Sequence, residues 1–277
     1  MKKPYLISLL LFIAAVSCSK PDTIRVGGSS TVLPIVTQAA EQFQQLNPGQ
    51  QVVVNSGGSG VAINQVGAGQ LHIGMISRDL TPGESERHPG VHFTKHRIGR
   101  DAVLPVVSSG IYDAGITSLS VDDMKGILNG NITNWLELGG PNREILVIDK
   151  ERARGTRHIF MEVVMGSREA SVPAAGLVLG ANNELQLAIA QSNAAFSMLS
   201  FAWQNSNVRG LGIKTDNGTV IEPSEENIRG GLYPIIRDIM LLTNSNPDDK
   251  TSAFIDFILS EQGQQIVEES GYVRILQ

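Results

Sequence analysis

The sequence predicts an α/β fold with a mostly parallel sheet covered by helices on both faces. Strand-like and helix-like segments alternate over residues 23–76 in the order β-α-β-α-β. The strand segments, such as Val52-Val53-Val54 and Ile73-Gly74-Met75-Ile76, are apolar or uncharged throughout. That pattern belongs to strands buried on both faces. Glycines are many (29) and aromatics few (5%), a balance suited to many tight strand–helix junctions.

The elements follow in order. Residues 23–26 open as a short strand. Across 32–46, Val32, Ile35, Val36, Ala39, Ala40 and Phe43 form a helical stripe, which Asn47-Pro48-Gly49 ends. A Val-rich strand covers 51–55, a short helix 61–66 and a third strand 71–76. Residues 82–90 are turn-rich, and 91–98 and 102–108 are two strand candidates. Ser120 is placed to cap a helix over 121–129, with Asp122 and Asp123 in its first turn. After the turn Gly139-Gly140-Pro141-Asn142, a buried-type strand spans 145–148. A helix runs from Thr156 to about Val164. Strands at 178–181 and 195–199 flank a helix at 184–191. From Pro247 a final amphipathic helix pair turns Phe254, Ile255, Phe257, Ile258, Ile266 and Val267 inward. The 277 residues suffice for two modest domains. No linker marks a break between them, so the chain is expected to cross between lobes more than once.

Residues 1–17 read as an export signal. Lys2 and Lys3 precede an apolar run, Leu6 to Val16, that is short for a membrane span. The run ends in Ala15-Val16-Ser17-Cys18, similar to the lipobox of bacterial lipoproteins, whose cysteine is lipidated. Cys18 is the sole cysteine, so no intrachain disulfide forms. A lipid-anchored protein of the periplasm or cell surface is expected, with a short tether over 18–23. Net charge is -5, and removing Lys2 and Lys3 makes it -7. With no basic stretch, nucleic-acid binding is not expected.

Three places put glycine and hydroxyl residues just before a helical pattern: Gly27-Gly28-Ser29-Ser30-Thr31, Gly57-Gly58-Ser59-Gly60 and Gly155-Thr156-Arg157. Such a junction offers unpaired backbone N–H groups, a hydroxyl donor and the positive end of a helix dipole. Each alone is ordinary cap and turn chemistry. Three together point to one tetrahedral oxyanion held from several sides. No Gly-Lys-Ser/Thr phosphate loop, dinucleotide glycine pattern or Gly-x-Ser-x-Gly elbow is present. His88, His92 and His96 are spaced four apart, but Pro89-Gly90 breaks any helix through them. No metal, cofactor or catalytic group is expected.

Charged residues cluster near the same junctions: Arg78, Asp101, Lys150, Arg154 and Arg157. Ser77-Arg78 follows an apolar strand, at the carboxyl end where open α/β sheets place ligands. A carboxylate such as Asp101 accepts a hydrogen bond from protonated phosphate and repels unprotonated sulfate. The alternative for Asp101 is a salt bridge to Arg100 or Arg97.

Several segments resemble the phosphate-binding proteins of bacterial phosphate ABC importers, the PstS family. They are Gly28-Ser29-Ser30-Thr31-Val32-Leu33-Pro34, Ser56-Gly57-Gly58-Ser59-Gly60, and Ile73-Gly74-Met75-Ile76-Ser77-Arg78. The stretch from Leu128 to Gly140 is the most specific. Gly231-Leu232-Tyr233-Pro234-Ile235-Ile236-Arg237 and residues 254–264 continue the family's order. The resemblance implies a two-lobed type II periplasmic-binding-protein fold, each lobe a mostly parallel sheet flanked by helices, with two hinge crossings. The lobes would comprise 24–104 plus 232–277, and 105–231. It implies a monomeric, non-enzymatic receptor that delivers inorganic phosphate to an ABC permease. Ser30, Thr31, Ser59 and Ser77 would donate from one lobe, Gly155 and Thr156 from the other, and Asp101 would accept the ligand's proton. Other readings are a ligand sensor or accessory lipoprotein of the same fold, or a receptor for molybdate, tungstate, arsenate or sulfate.

Two segments depart from the family. Its usual Arg-x-x-Gly-Ser-Gly-Thr-Arg is here Lys150-Glu151-Arg152-Ala153-Arg154-Gly155-Thr156-Arg157. Arg154 stands for the serine and Lys150 for the first arginine. Arg154 is expected either to bring its guanidinium to the anion as a bidentate partner, or to point to solvent and leave the site weakened or retuned. The stretch from Ala194 to Leu199 lacks the family's glycine–tyrosine pattern.

Overall fold

The computed structural model describes residues 22–275. The expected export signal at 1–17 and the lipidation at Cys18 lie outside the described residues. Among the described residues no helix is long and apolar enough to cross a membrane.

The chain begins β1 (Asp22–Ser29), α1 (Leu33–Leu46), β2 (Gln50–Gly57), α2 (Ser59–Gly67), β3 (Ile73–Ile76) and α3 (Pro82–Glu86). A 16-residue strand, β4 (Phe93–Ser108), follows. Next come α4 (Ser109–Tyr112), β5 (Ser118–Ser120), α5 (Val121–Asn129), β6 (Leu146–Lys150), α6 (Gly155–Met165), β7 (Ala175–Leu179), α7 (Asn182–Gln191) and β8 (Ala195–Ser200). The remainder is β9 (Val208–Gly210), β10 (Gly212–Lys214), β11 (Val220–Ile221), α8 (Glu225–Arg229), β12 (Ile236–Asn244), α9 (Asp249–Leu259), α10 (Glu261–Glu269) and β13 (Val273–Arg274).

The main sheet runs β2-β1-β3-β12-β4-β8-β6-β7. Its two flanks, β2-β1-β3 and β8-β6-β7, are parallel. Its middle is antiparallel, because β4 leads the chain outward and β12 brings it back. The two strand candidates at 91–98 and 102–108 are therefore one strand. Gly99-Arg100-Asp101 between them stays extended because β12 and β13 pair with its two edges. β12 is not among the elements expected above, and Arg237 and Asp238 interrupt its otherwise apolar run. Both charges are absorbed by β4: Arg237 lies opposite Asp101, and Asp238 opposite Arg100.

Two main apolar cores result. The first gathers Ile24, Val26, Ile35, Val36, Phe43, Ile98, Ile239, Leu241, Phe254 and Val267. It is tightened by the edge-on contact of Phe43 and Phe254 at 5.1 Å. The second gathers Val103, Leu104, Leu128, Trp135, Phe160, Phe196, Leu199, Tyr233 and Ile235. Along β4 the change of core falls between Ile98 and Ala102, and on the return between Ile235 and Ile239. Both changes flank the same cross-strand pair, Asp101 and Arg237.

Caps set the helix ends. Ser120 Oγ accepts the Asp123 N–H as foreseen, and Gly130 closes α5 in the left-handed region at φ 78°. Trp135 is fully buried, with Nε1 donating to the Ala194 carbonyl at 3.0 Å. The Leu128–Gly140 stretch thus serves the second core.

Candidate functional site

Four carboxyl ends of parallel strands meet between the two cores. β1 ends at Ser29, and the turn Ser30-Thr31-Val32 leads into α1, with a proline in its first turn. β2 ends at Gly57, and extended Gly58 leads directly into α2 at Ser59. β3 releases Ser77. From the other side, β6 leads through residues 151–154 to α6, which opens at Gly155. Each chain reversal leaves backbone N–H groups and a hydroxyl at a helix or strand end.

Ser29, Ser30, Thr31, Ser59, Ser77 and Thr156 are all buried. Ser29 Oγ–H donates to Ser77 Oγ at 3.0 Å, and the Ser77 N–H donates to Ser59 Oγ at 3.1 Å. Thr31 Oγ1 and Thr156 Oγ1, from opposite sides, stand 3.4 Å apart. Their common partner is Arg237. Its Nη1 donates to Thr156 Oγ1 (3.0 Å) and Ser77 Oγ (3.3 Å), and its Nη2 to Thr31 Oγ1 (3.1 Å). The other edge of the guanidinium grips Asp101 Oδ2, from Nε at 2.9 Å and Nη2 at 2.7 Å.

Asp101 is correspondingly engaged. Its Oδ1 accepts the Ser200 hydroxyl at 2.9 Å. Burial pushes its carboxyl above the ordinary range, against the pull of Arg237 and Ser200. The salt bridge to Arg100 or Arg97 does not form. Pleating turns Arg100, and a bulge at Ile98 turns Arg97, to the other face of β4, where both approach Asp238 at 3.7 Å.

Contact across the cleft is close. The Gly60 N–H donates to the Ala153 carbonyl at 3.2 Å. A Cβ on Gly155 would stand 2.5 Å from Ser77 Oγ and 2.6 Å from Ser59 Oγ. Only glycine lets the opening of α6 come this near to α2 and β3.

An arginine and a ring of hydroxyls closed from two sides is the arrangement expected for holding a small oxyanion. Residues 15–262 match the PBP superfamily domain. The chain is 31% identical to the phosphate-binding protein PstS of Borreliella burgdorferi, over 290 residues and 99% of both chains. The chain belongs to the PstS family. It is also 30% identical to Bacillus subtilis PstS, over 91% of this chain and 81% of the relative. A candidate phosphate ABC transporter substrate-binding protein of Clostridium perfringens, solved with phosphate bound, superposes with a TM-score of 0.82. That likeness has 27% identity and covers 92% of this chain and all of the other. An ABC-type phosphate transport receptor of Vibrio cholerae gives 0.71 at 28% identity, over 91% and 100%.

Within the PstS pattern, the two departures on the β6–α6 segment have different fates. Arg154 neither joins the hydroxyl cluster nor points freely to solvent, with 16% of its side chain exposed, so both expectations are corrected for its place in this structure. Its guanidinium is held by Glu151, at 2.8 and 2.6 Å, and by the Gly57 carbonyl across the cleft. Glu151 lies three residues earlier and captures it first. Lys150 points inward and is 1% exposed, with Nζ donating to Asn182 Oδ1 at 2.9 Å. Burial, with Arg154 and Arg237 nearby, lowers its pKa to about 7. Arg78 is turned away and paired with buried Glu84 through two bonds of 2.7 and 2.8 Å. Burial opposes ionisation of Glu84, but Arg78 and Thr81 hold its pKa at about 2. Arg157 is spent on Asp149 and two carbonyls.

Three residues were not singled out by sequence reasoning. Arg237 sits inside a motif that carries the PstS resemblance, yet nothing local marks its role. Asn182 opens α7, two residues before the expected helix start. Its N–H donates to Ser30 Oγ at 3.3 Å and its Nδ2 to Thr31 Oγ1 at 3.2 Å. Tyr272 donates to the Thr31 carbonyl at 2.6 Å. Only the fold brings these distant positions to the cleft.

Proposed function

We propose that the chain is the extracytoplasmic receptor of an ABC importer. It captures inorganic phosphate between two lobes, 24–104 plus 232–277 and 105–231, and delivers it to a permease. The observation that carries this reading is the convergence of Thr31, Ser77 and Thr156 on Arg237. Hydroxyls that now accept from Arg237 turn their O–H toward an anion, and Arg237 adds charge-assisted donors held in place by Asp101. Ser30, Ser59 and the N–H groups at Gly155 and Thr156 complete the cradle. Anion contacts from both sides favour the shut form, so binding shifts the population toward it. The receptor acts without catalysis, as a monomer tethered by a lipid on Cys18.

The deciding experiment is isothermal titration of the mature protein with phosphate and with sulfate at pH 7. Phosphate is expected to bind at least about tenfold more tightly, since only phosphate carries a proton to offer the Asp101–Ser200 side. Equal affinities would overturn phosphate as the ligand.

Lys150 makes affinity pH-dependent. Its lowered pKa of about 7 means it is charged below pH 7 and neutral above. Its attraction for an anion is therefore present at low pH and fades as pH rises through 7. The titration of phosphate itself is common to wild type and Lys150→Met, and cancels in their ratio. The wild-type advantage in Kd is expected to be greatest near pH 5.5 and to shrink toward unity above pH 8, by about tenfold across the range. A ratio independent of pH would remove Lys150 from the electrostatics of the site.

Arg154→Ser is expected to change phosphate affinity by less than about fivefold, the range of a partly solvated ion pair. A hundredfold loss in the same titration would return Arg154 to the binding set.

A further inference from the structure

The opposite face of the crossing strands carries a second concentration of arginines. Arg97 and Arg100 on β4, Arg229 on α8 and Arg274 on β13 line a cavity of about 170 Å³, with Val273 and Ile275. Among the described residues the lining contains no carboxylate. The neighbouring acids are Asp238, Glu225, Glu261 and Glu268. Asp238 serves both Arg97 and Arg100, at 3.7 Å from each, beyond hydrogen-bond distance. Glu225, Glu261 and Glu268 are largely exposed and bind Arg229 and Arg274 from outside the concavity. In a chain of net charge -5, four guanidinia facing one hollow are unusual.

A backbone irregularity builds this face. β4 carries one extra residue opposite the step from Ile239 to Met240. The bulge lets Ile98 enter the first core while Arg97 and Arg100, an odd number of residues apart, both reach Asp238. Pleating then alternates along the same two strands. The pair Asp101–Arg237 faces the cleft, and the adjacent pair Arg100–Asp238 faces the arginine hollow.

We propose that this hollow is a second anion site, for a small multivalent oxyanion such as a polycarboxylate. The cavity is below the ~300 Å³ at which drug-sized ligand pockets begin, which suits a compact ion. Guanidinia from three elements supply paired donors to carboxylate or phosphate oxygens. The site also spans the two cores. Arg229 is carried by α8, whose Ile228 packs in the second core. Arg274 sits between the two: Val273 beside it packs in the second core, while its partners Glu261 and Glu268 lie on α10, whose Ile266 and Val267 pack in the first. An anion bridging these arginines favours the arrangement in which they converge, the one with the cleft shut. It therefore tightens phosphate binding, and phosphate tightens its binding by the same factor. The binding stands on the hollow alone, whereas this coupling rests on the lobe closure proposed above.

The test is titration of citrate, at constant ionic strength, into the whole protein with and without saturating phosphate. One saturable site is expected. Its Kd should rise at least about tenfold in Arg97→Gln/Arg274→Gln, a loss of charge-assisted bonds. Phosphate affinity measured without citrate should stay unchanged in that variant, whose two replaced side chains are partly exposed. No saturable citrate binding, or equal binding by the double variant, overturns the site. Citrate binding with no effect on phosphate Kd overturns the coupling and leaves the site standing. Failure of phosphate itself to bind would count against the receptor reading, while the phosphate-free citrate titration would still decide the hollow.

Discussion

Arg237→Met is expected to abolish most phosphate binding and to destabilise the fold as well. Arg237 and Asp101 have side-chain exposures of 2% and 0%. Removing one partner leaves the other charge buried and unpaired, at a cost of about 3–5 kcal/mol. At a few degrees per kcal/mol, that lowers Tm by roughly 10 °C. Affinity should fall at least about a hundredfold, since charge-assisted donors to the anion are lost. The two effects separate in Arg237→Met/Asp101→Leu, where an apolar pair of similar bulk replaces the ion pair. Stability should largely return while phosphate binding does not. Phosphate affinity near wild type in the double variant would show that Arg237 only supports the fold.

Gly155→Ala is expected to act the other way, on closure and hardly on the fold. Its methyl would stand 2.5 and 2.6 Å from the Ser77 and Ser59 hydroxyl oxygens across the cleft. The overlap disappears when the two sides part, so ligand-free Tm should change little. Closing against it costs about 1–3 kcal/mol, which is roughly fivefold to somewhat over a hundredfold in phosphate Kd. Small-angle scattering should show less compaction on adding phosphate than in wild type. A large loss of ligand-free Tm with unchanged Kd would mean that Gly155 packs within one side only.

Local chemistry explains what was legible in the sequence. The stripe of α1, the Ser120 cap and the hydroxyl-rich openings before α1, α2 and α6 are written over a few residues each. Their placement at carboxyl strand ends follows from the alternation of elements. Ser30, Thr31, Ser59, Ser77, Asp101, Gly155 and Thr156 come together in the fold. Arg154 does not, because an arginine takes the nearest carboxylate, and Glu151 is within reach on the same turn. Arg237 and Asn182 carried no local signal. Their roles depend on pairings across 206 and 151 residues to Thr31. The strand that bears Arg237 was itself hidden, since its polar start is neutralised only by β4.

The position of β12 has a consequence for how the protein is made. β3 and β4 are consecutive along the chain but are separated in the sheet by β12, which begins at residue 236. A growing chain therefore completes both flanks while the two inner strands still present open hydrogen-bonding edges to each other, apolar in β3 and charged in β4. Such edges are where chains join by mistake. The last strand to arrive fills the gap and brings the guanidinium with it. Anion capture and protection from aggregation thus mature in one late step, and a fragment ending before β12 would have neither.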